Sequence, residues 1–214
     1  EVLGVHRRLL AAVVPVHRTL EERGAIEVTS TPFHHPILPL LIDAESATVD
    51  RPGATPPPRF RCPEDARAHV DRALAHHETA FGRRPRGMWP AEGAVSQAAA
   101  GLFAEAGLKW IATDRGVLAA SGDHGYDVDD PDVACRAWRV DDGDHAITVF
   151  FRDTPLSDAI GFHYWATTPD EAVARFRREV RERFSARFAS DEDHVLPIVL
   201  DGENAWGAFP EDGR

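Results

Sequence analysis

Two acidic side chains stand where a chain most readily exposes groups for chemistry. Glu92 lies in Gly87-Met88-Trp89-Pro90-Ala91-Glu92-Gly93, and Asp201 in Leu200-Asp201-Gly202-Glu203-Asn204-Ala205-Trp206. In each stretch a short apolar run breaks off and a carboxylate follows. Pro90 has no N–H to give to a sheet ladder, so a strand over Gly87-Met88-Trp89 ends there. Val195–Leu200 is an apolar run of buried-strand length that ends at Asp201. Trp89 and Trp206 stand beside the two acids. Two carboxylates at strand ends, next to flat apolar faces on which sugar rings can stack, fit glycoside hydrolysis: one attacks or activates water, and the other protonates the leaving oxygen. Each motif alone is weak. Glu92 reads equally as an acid at a helix N-terminus, favoured by the dipole, and tryptophans beside strands are ordinary core residues.

The elements needed to position these acids follow from pattern. Val2–Val13 reads as a helix interrupted by Pro15, and Pro15–Arg23 as a second helix stopped by Gly24. Ala25–Ser30 reads as a strand with Glu27 on the face opposite Ile26 and Val28. Thr31–Pro36 is a loop carrying His34 and His35. On an extended segment these neighbours point opposite ways and do not clamp one metal. Asp50–Phe60 contains four prolines and is a loop. Pro63-Glu64-Asp65 opens a helix with Ala66, Val70, Leu74 and Phe81 on one face. After Glu92, a helix from Ser96 to Ala106 carries a stripe of Ala98, Ala99, Leu102, Phe103 and Ala106. Gly107 ends it, and Lys109–Thr113 is the next strand. Asp114 is then a third strand-end carboxylate, either a loop cap or a substrate contact. Strand, helix and strand at this spacing make one βα unit of a parallel sheet or barrel.

Gly116–Pro131 is polar and reads as a long connection. Cys135–Val140 and Ala146–Phe151 flank Asp142-Gly143 as a hairpin. The second arm ends in Arg152-Asp153, a pair suited to an ion pair or to binding hydroxyls. Thr168-Pro169-Asp170-Glu171 is a capping box opening a helix that presents Val173, Phe176, Val180 and Phe184 to a core.

Composition bounds the function. The 214 residues carry a net charge of −11 and no basic block, which argues against nucleic acid or an anionic membrane as partner. No apolar run approaches the ~20 residues that cross a bilayer. Cys62 and Cys135 are isolated, as free thiols of a reducing compartment are, which points to the cytoplasm. The chain begins at Glu1 without a signal-peptide layout and reads as an internal piece of a longer protein. Neither the histidines nor Asp127, Asp129, Asp130 and Asp132 show metal-ligand spacing, so no metal and no other cofactor is expected.

The two acid motifs occur in order, with Gly24-Ala25-Ile26-Glu27-Val28 and Thr31-Pro32-Phe33-His34-His35-Pro36-Ile37-Leu38-Pro39-Leu40-Leu41 upstream. Phe150-Phe151-Arg152-Asp153 and Leu156–Phe162 lie between them. On these residues the chain resembles the glycoside hydrolase family 57 catalytic domain, in its amylase and amylopullulanase-like branch, over nearly its whole length. The resemblance implies an α/β fold, a (β/α)7-barrel-like parallel sheet surrounded by helices and incomplete here, with residues 1–214 forming part of a single catalytic barrel. It implies that Glu92 is the nucleophile and Asp201 the general acid/base of a retaining reaction on an α-linked glucan, without a metal. It places Glu27 in the substrate site and makes His35 the site-facing histidine. Ala25 stands where many members carry glutamine. With the residue reading, the expected substrate contacts are Glu27, His35, Trp89, Asp114, Arg152, Asp153 and Trp206.

Three other readings compete with this one. A metal-dependent α-mannosidase or polysaccharide deacetylase would need Asp and His converging on one ion. A non-catalytic glycan-binding relative would have lost Glu92 or Asp201. A purely structural α/β domain has no reason to gather carboxylates and tryptophans at strand ends. The family's first and fifth motifs would fall outside residues 1–214. The 214-residue stretch alone is therefore expected to be inactive on maltooligosaccharides. Chromatography of the products checks this, and robust turnover by the isolated stretch would show the boundaries to be misjudged.

Overall fold

The computed structural model describes residues 2–53, 55, 58–122, 125–188, 191, 193–202 and 207–213. Among them the helices are α1 (Val2–Glu22), α2 (Leu38–Ile42), α3 (Ala47–Asp50), α4 (Pro63–Phe81), α5 (Gln97–Glu105), α6 (Arg115–Ala119), α7 (Pro131–Ala134), α8 (Thr154–Asp158) and α9 (Pro169–Phe188). The strands are β1 (Gly87–Met88), β2 (Trp110–Asp114), β3 (Trp138–Asp141) and β4 (Ala146–Arg152). They form one four-stranded sheet in the order β1-β2-β4-β3, so the fold is α/β. β1 and β2 are parallel, with Gly87 opposite Trp110 and Met88 opposite Ile111. Parallel neighbours need a crossover, and α5 supplies it. β3 and β4 are neighbours joined by the short turn in which the Asp142 N–H donates to the His145 carbonyl, as the Asp142-Gly143 signal predicts. No helix among the described residues is long and apolar enough to cross a membrane.

The chain divides into two compact units, residues 1–111 with 140–147, and residues 112–139 with 148–214. The first unit is built on Phe103, Leu74, Met88, Val70, Ile111 and Leu38, all sealed from solvent. α4 opens at Pro63 with Glu64 and Asp65 in its first turn and closes on Gly82 at φ 80. Ser96 caps α5 by accepting the Ala99 N–H at 3.2 Å. Gly107, at φ 89, follows it.

The second unit has its own cluster of Cys135, Leu156 and Phe184, against which Phe176, Val180, Leu196 and Ile198 pack. Burial, with the Asp153 charge, pushes the Cys135 thiol up to about 11, so it packs as an inert apolar group. The capping box forms as expected: the Thr168 hydroxyl donates to Glu171 Oε2 at 2.8 Å, and the Glu171 N–H donates back to Thr168 Oγ1 at 3.3 Å.

Several expectations are corrected. Pro15 does not split the first helix. α1 runs through it, and its surroundings are exposed, so the carbonyl that loses its donor is not buried. Ala25–Ser30 forms no strand, and its backbone pairs with the sheet only at Ser30, which bridges Met88 in parallel. Residues 31–36 form a turn rather than an extended loop: His34 and His35 have φ 63 and 55. Residues 115–119 are helical because Asp114 caps them. Ala98 is exposed and falls off the α5 stripe. Val173 is 56% exposed and lies off the buried face of α9. Val195–Leu200 is neither helix nor strand and joins no ladder among the described residues. Pro197 in its middle removes a donor that a central strand would need.

Gly87 is required by close approach. A Cβ there would sit 2.1 Å from Cε2 of the Trp110 indole. Gly87→Ala therefore forces β1 and β2 apart and is expected to destabilise the fold by about 1–3 kcal/mol through overpacking. A urea midpoint that falls at constant slope checks it.

Candidate functional site

The first unit carries the Glu92 group. β1 ends at Met88, and Trp89 still donates its N–H to the Ser30 carbonyl at 2.8 Å. Pro90 is buried and turns the chain out of the sheet. Ala91–Gly93 then forms a single 3-10 turn, with Ala91 and Gly93 buried and Glu92 at φ 57, ψ 18. The left-handed backbone drives the Glu92 side chain outward while its neighbours stay in the core. A non-glycine residue there carries strain of about 1–3 kcal/mol, which surrounding structure must hold. The reading of Glu92 as a helix-terminal acid fails, because α5 begins at Gln97 with Ser96 as its cap.

His35 meets Glu92. Its Nε2 lies 3.0 Å from Glu92 Oε1, and its Nδ1 lies 3.2 Å from Thr31 Oγ1. His34 turns elsewhere, edge-on to Phe33 and His69. Glu27 is exposed and accepts the Trp110 indole N–H at 3.0 Å. Trp89 is half-buried. Sequence reasoning missed Thr31 and Trp110. The offset between Thr31 and His35 across a turn gave no signal, whereas Trp110 was visible as an aromatic at the start of a predicted strand.

The second unit carries the Asp201 segment and the residues that hold it. Asp114 ends β2, accepts the Gly116 N–H at 2.8 Å, and with its other oxygen accepts Arg152 Nη1 at 3.0 Å and Thr154 Oγ1 at 2.9 Å. Arg152 also pairs with Asp158 and donates its Nε–H to the Val199 carbonyl at 2.9 Å. Asp153 does not pair with its neighbour Arg152. It is 3% exposed, caps α8 by accepting the Leu156 N–H at 2.9 Å, and binds Arg183 at 2.7 Å. Its own N–H donates to the Pro197 carbonyl at 2.9 Å, and the buried Ser157 hydroxyl accepts the Val199 N–H at 3.1 Å. With the Val195 N–H donating to the Cys135 carbonyl at 2.9 Å, isolated hydrogen bonds replace a ladder along the run that leads to Asp201, which is exposed. Ser157 and Arg183 were not found from sequence, since nothing in their types or spacing marks them. Trp206, with Glu203, Asn204 and Ala205, lies outside the described residues. Among the described residues no group of three or more His, Cys, Asp or Glu side chains is placed to hold a metal ion.

Burial works to raise the pKa of Asp114, but the Gly116 N–H, the Thr154 hydroxyl and Arg152 outweigh it and hold the carboxyl below its ordinary range. A depressed folded-state pKa stabilises the fold fully above the unfolded value, near pH 4. That contribution is lost as pH falls through the folded value. The denaturation midpoint is expected to fall below about pH 4, and to fall less steeply in Asp114→Asn. Urea titrations across pH 2–7 check it, and identical pH dependence in the two proteins would remove the assignment.

Comparison with known proteins agrees with this architecture. Residues 4–214 match the profile of glycosyl hydrolase family 57. Alpha-amylase 1 of Dictyoglomus thermophilum is 21% identical over 197 residues, 92% of this chain and 23% of its own length. The 4-alpha-glucanotransferase from Thermococcus litoralis superposes with a TM-score of 0.62 at 19% identity, over 93% of this chain and 25% of that one. The family 57 branching enzyme from Pyrococcus horikoshii gives a TM-score of 0.60 at 14% identity, over 96% of this chain and 43% of that one. The chain spans about a quarter of the length of the curated relative it matches. A family profile matched across nearly every residue, on a fold shared with these structures, shows that the chain belongs to glycosyl hydrolase family 57.

Proposed function

We propose that the full-length protein containing this chain is a retaining α-glucan-active glycoside hydrolase or transglycosidase, with Glu92 as nucleophile and Asp201 as general acid/base. The observation that carries the reading is the Glu92 turn. A carboxylate projects to solvent from a left-handed residue directly after a parallel strand, between buried neighbours, in a chain of this family. The relatives' names, an alpha-amylase, a 4-alpha-glucanotransferase and a branching enzyme, have α-glucan in common as the material acted on.

In the first step Glu92 attacks the anomeric carbon as Asp201 gives its proton to the departing glycosidic oxygen. In the second step Asp201 takes a proton from the incoming hydroxyl, which attacks the same carbon and frees Glu92. Water as acceptor gives hydrolysis, and a glucan hydroxyl gives transfer or branching. Trp89 offers an apolar face for a sugar ring, and Glu27 acceptor oxygens for hydroxyls. Two unpaired cysteines favour the cytoplasm, and the net charge of −11 disfavours nucleic acid as a partner.

In the full-length protein, Glu92→Gln is expected to lower turnover of maltooligosaccharides by about four orders of magnitude or more. Asp201→Asn should lose much less on an α-glucosyl fluoride, whose leaving group needs little protonation. Added azide should then give a glucosyl azide of retained configuration with Asp201→Asn and not with Glu92→Gln. Near-normal turnover by Glu92→Gln would exclude Glu92 as the nucleophile.

A further inference from the structure

We propose that His35 is a positioning residue for Glu92: held by Thr31, it binds one carboxylate oxygen and leaves the other free to attack the anomeric carbon. This rests on the reading of Glu92 as nucleophile. The Glu92 side chain is 72% exposed, so packing does not select its rotamer. Among the described residues, His35 is the side chain that bonds to it, through Nε2 and Oε1 at 3.0 Å. An ionised carboxylate only accepts, so Nε2 carries the proton. In the neutral ring Nδ1 then accepts from the Thr31 hydroxyl at 3.2 Å, which fixes the tautomer, as an outer partner does for a metal-bound histidine.

Both ring nitrogens are occupied by protein, which leaves His35 no polar atom for a sugar hydroxyl. This sets the arrangement apart from a substrate contact. The backbone agrees: His35 at φ 55 and Glu92 at φ 57 are both left-handed non-glycine residues, and each turn aims its side chain at the other.

The chemistry balances with His35 keeping its proton throughout. Oε2 of Glu92 forms a bond to the anomeric carbon while the bond to the leaving oxygen breaks. That oxygen takes the electron pair, and the proton comes from Asp201. Oε1 becomes the ester carbonyl, still hydrogen-bonded to Nε2–H. When the acceptor attacks, the bond from the anomeric carbon to Oε2 breaks, and its electron pair returns to the carboxylate beside the same donor. The donor therefore fixes which oxygen reacts and steadies the charge that returns.

The test uses two substitutions at His35 in the full-length protein, assayed on an α-glucosyl fluoride. Glutamine places an amide N–H about where Nε2 stands. Asparagine tolerates left-handed backbone well but is too short to reach Glu92. With positioning, His35→Asn keeps the wild-type melting temperature and loses kcat about 10–100-fold, with KM changed by less than about threefold. His35→Gln recovers most of kcat, and Thr31→Val falls between wild type and His35→Asn. The inference is overturned if His35→Asn retains wild-type kcat, if the loss is in KM, as a sugar contact requires, or if glutamine and asparagine are equally impaired. Glu92→Gln separates the two levels. If it stays active, the nucleophile reading itself fails. If it is inactive while His35→Asn is unimpaired, only the role of His35 fails.

Discussion

The indole of Trp110 packs directly against Gly87, and much of the candidate site in the first unit is tied to that contact. With no Cβ at Gly87, the ring comes close enough that any side chain there would overlap it. The two residues are partners in the parallel register of β1 and β2. The same ring donates its N–H to Glu27, so the segment before the His35 turn is tied to the strand pair. That segment in turn bridges β1 at Ser30 and accepts the Trp89 N–H. One close approach thus sets the distance between two strands and, through them, the place where the Glu27, His35 and Glu92 segments leave the sheet.

The second unit reaches a similar end by different means. The run into Asp201 makes no ladder among the described residues and is anchored by single bonds to Cys135, Arg152, Asp153 and Ser157. Arg152 and Asp153 are adjacent, so their side chains leave the strand on opposite faces. One serves the Asp114 and Asp158 carboxylates, and the other the α8 N-terminus and Arg183. A guanidinium shared between two carboxylates is rigid because its fork is planar and both partners fix it. With Asp153 3% exposed, the dipeptide is committed to framework on one side, whatever Arg152 does on the other.

Local rules made part of this legible in the sequence. Pro90 as a strand end, Ser96 as a cap, Gly107 as a stop, the Thr168 capping box and the Asp142-Gly143 hairpin each rest on a backbone requirement that one or two residues impose, and each is present. Expectations failed where tertiary surroundings decided. Pro15 ends a helix only if the freed carbonyl cannot reach water, and on exposed α1 that penalty is small. An apolar run is a strand only if a neighbour offers a ladder, and Val195–Leu200 finds isolated main-chain and side-chain bonds instead. The pairing of His35 with Glu92 lies beyond pattern reading altogether. It depends on two left-handed turns separated by 57 residues in sequence.

If Glu92 is the nucleophile proposed above, those turns bear on how an exposed acid becomes a defined reagent. A buried carboxylate is fixed by packing and pays desolvation in its pKa. An exposed one keeps its charge at little cost but wanders among rotamers, and freedom of that kind weakens attack on a substrate. Glu92 avoids both extremes. Its backbone is fixed by the buried Ala91 and Gly93 on either side, and its oxygen by an imidazole that also reaches it from solvent. Backbone strain is tolerable there because α5 and β1, which bracket the turn, are packed on Phe103 and Met88 in the interior. The rigidity of the core is thereby passed to a group that never enters it.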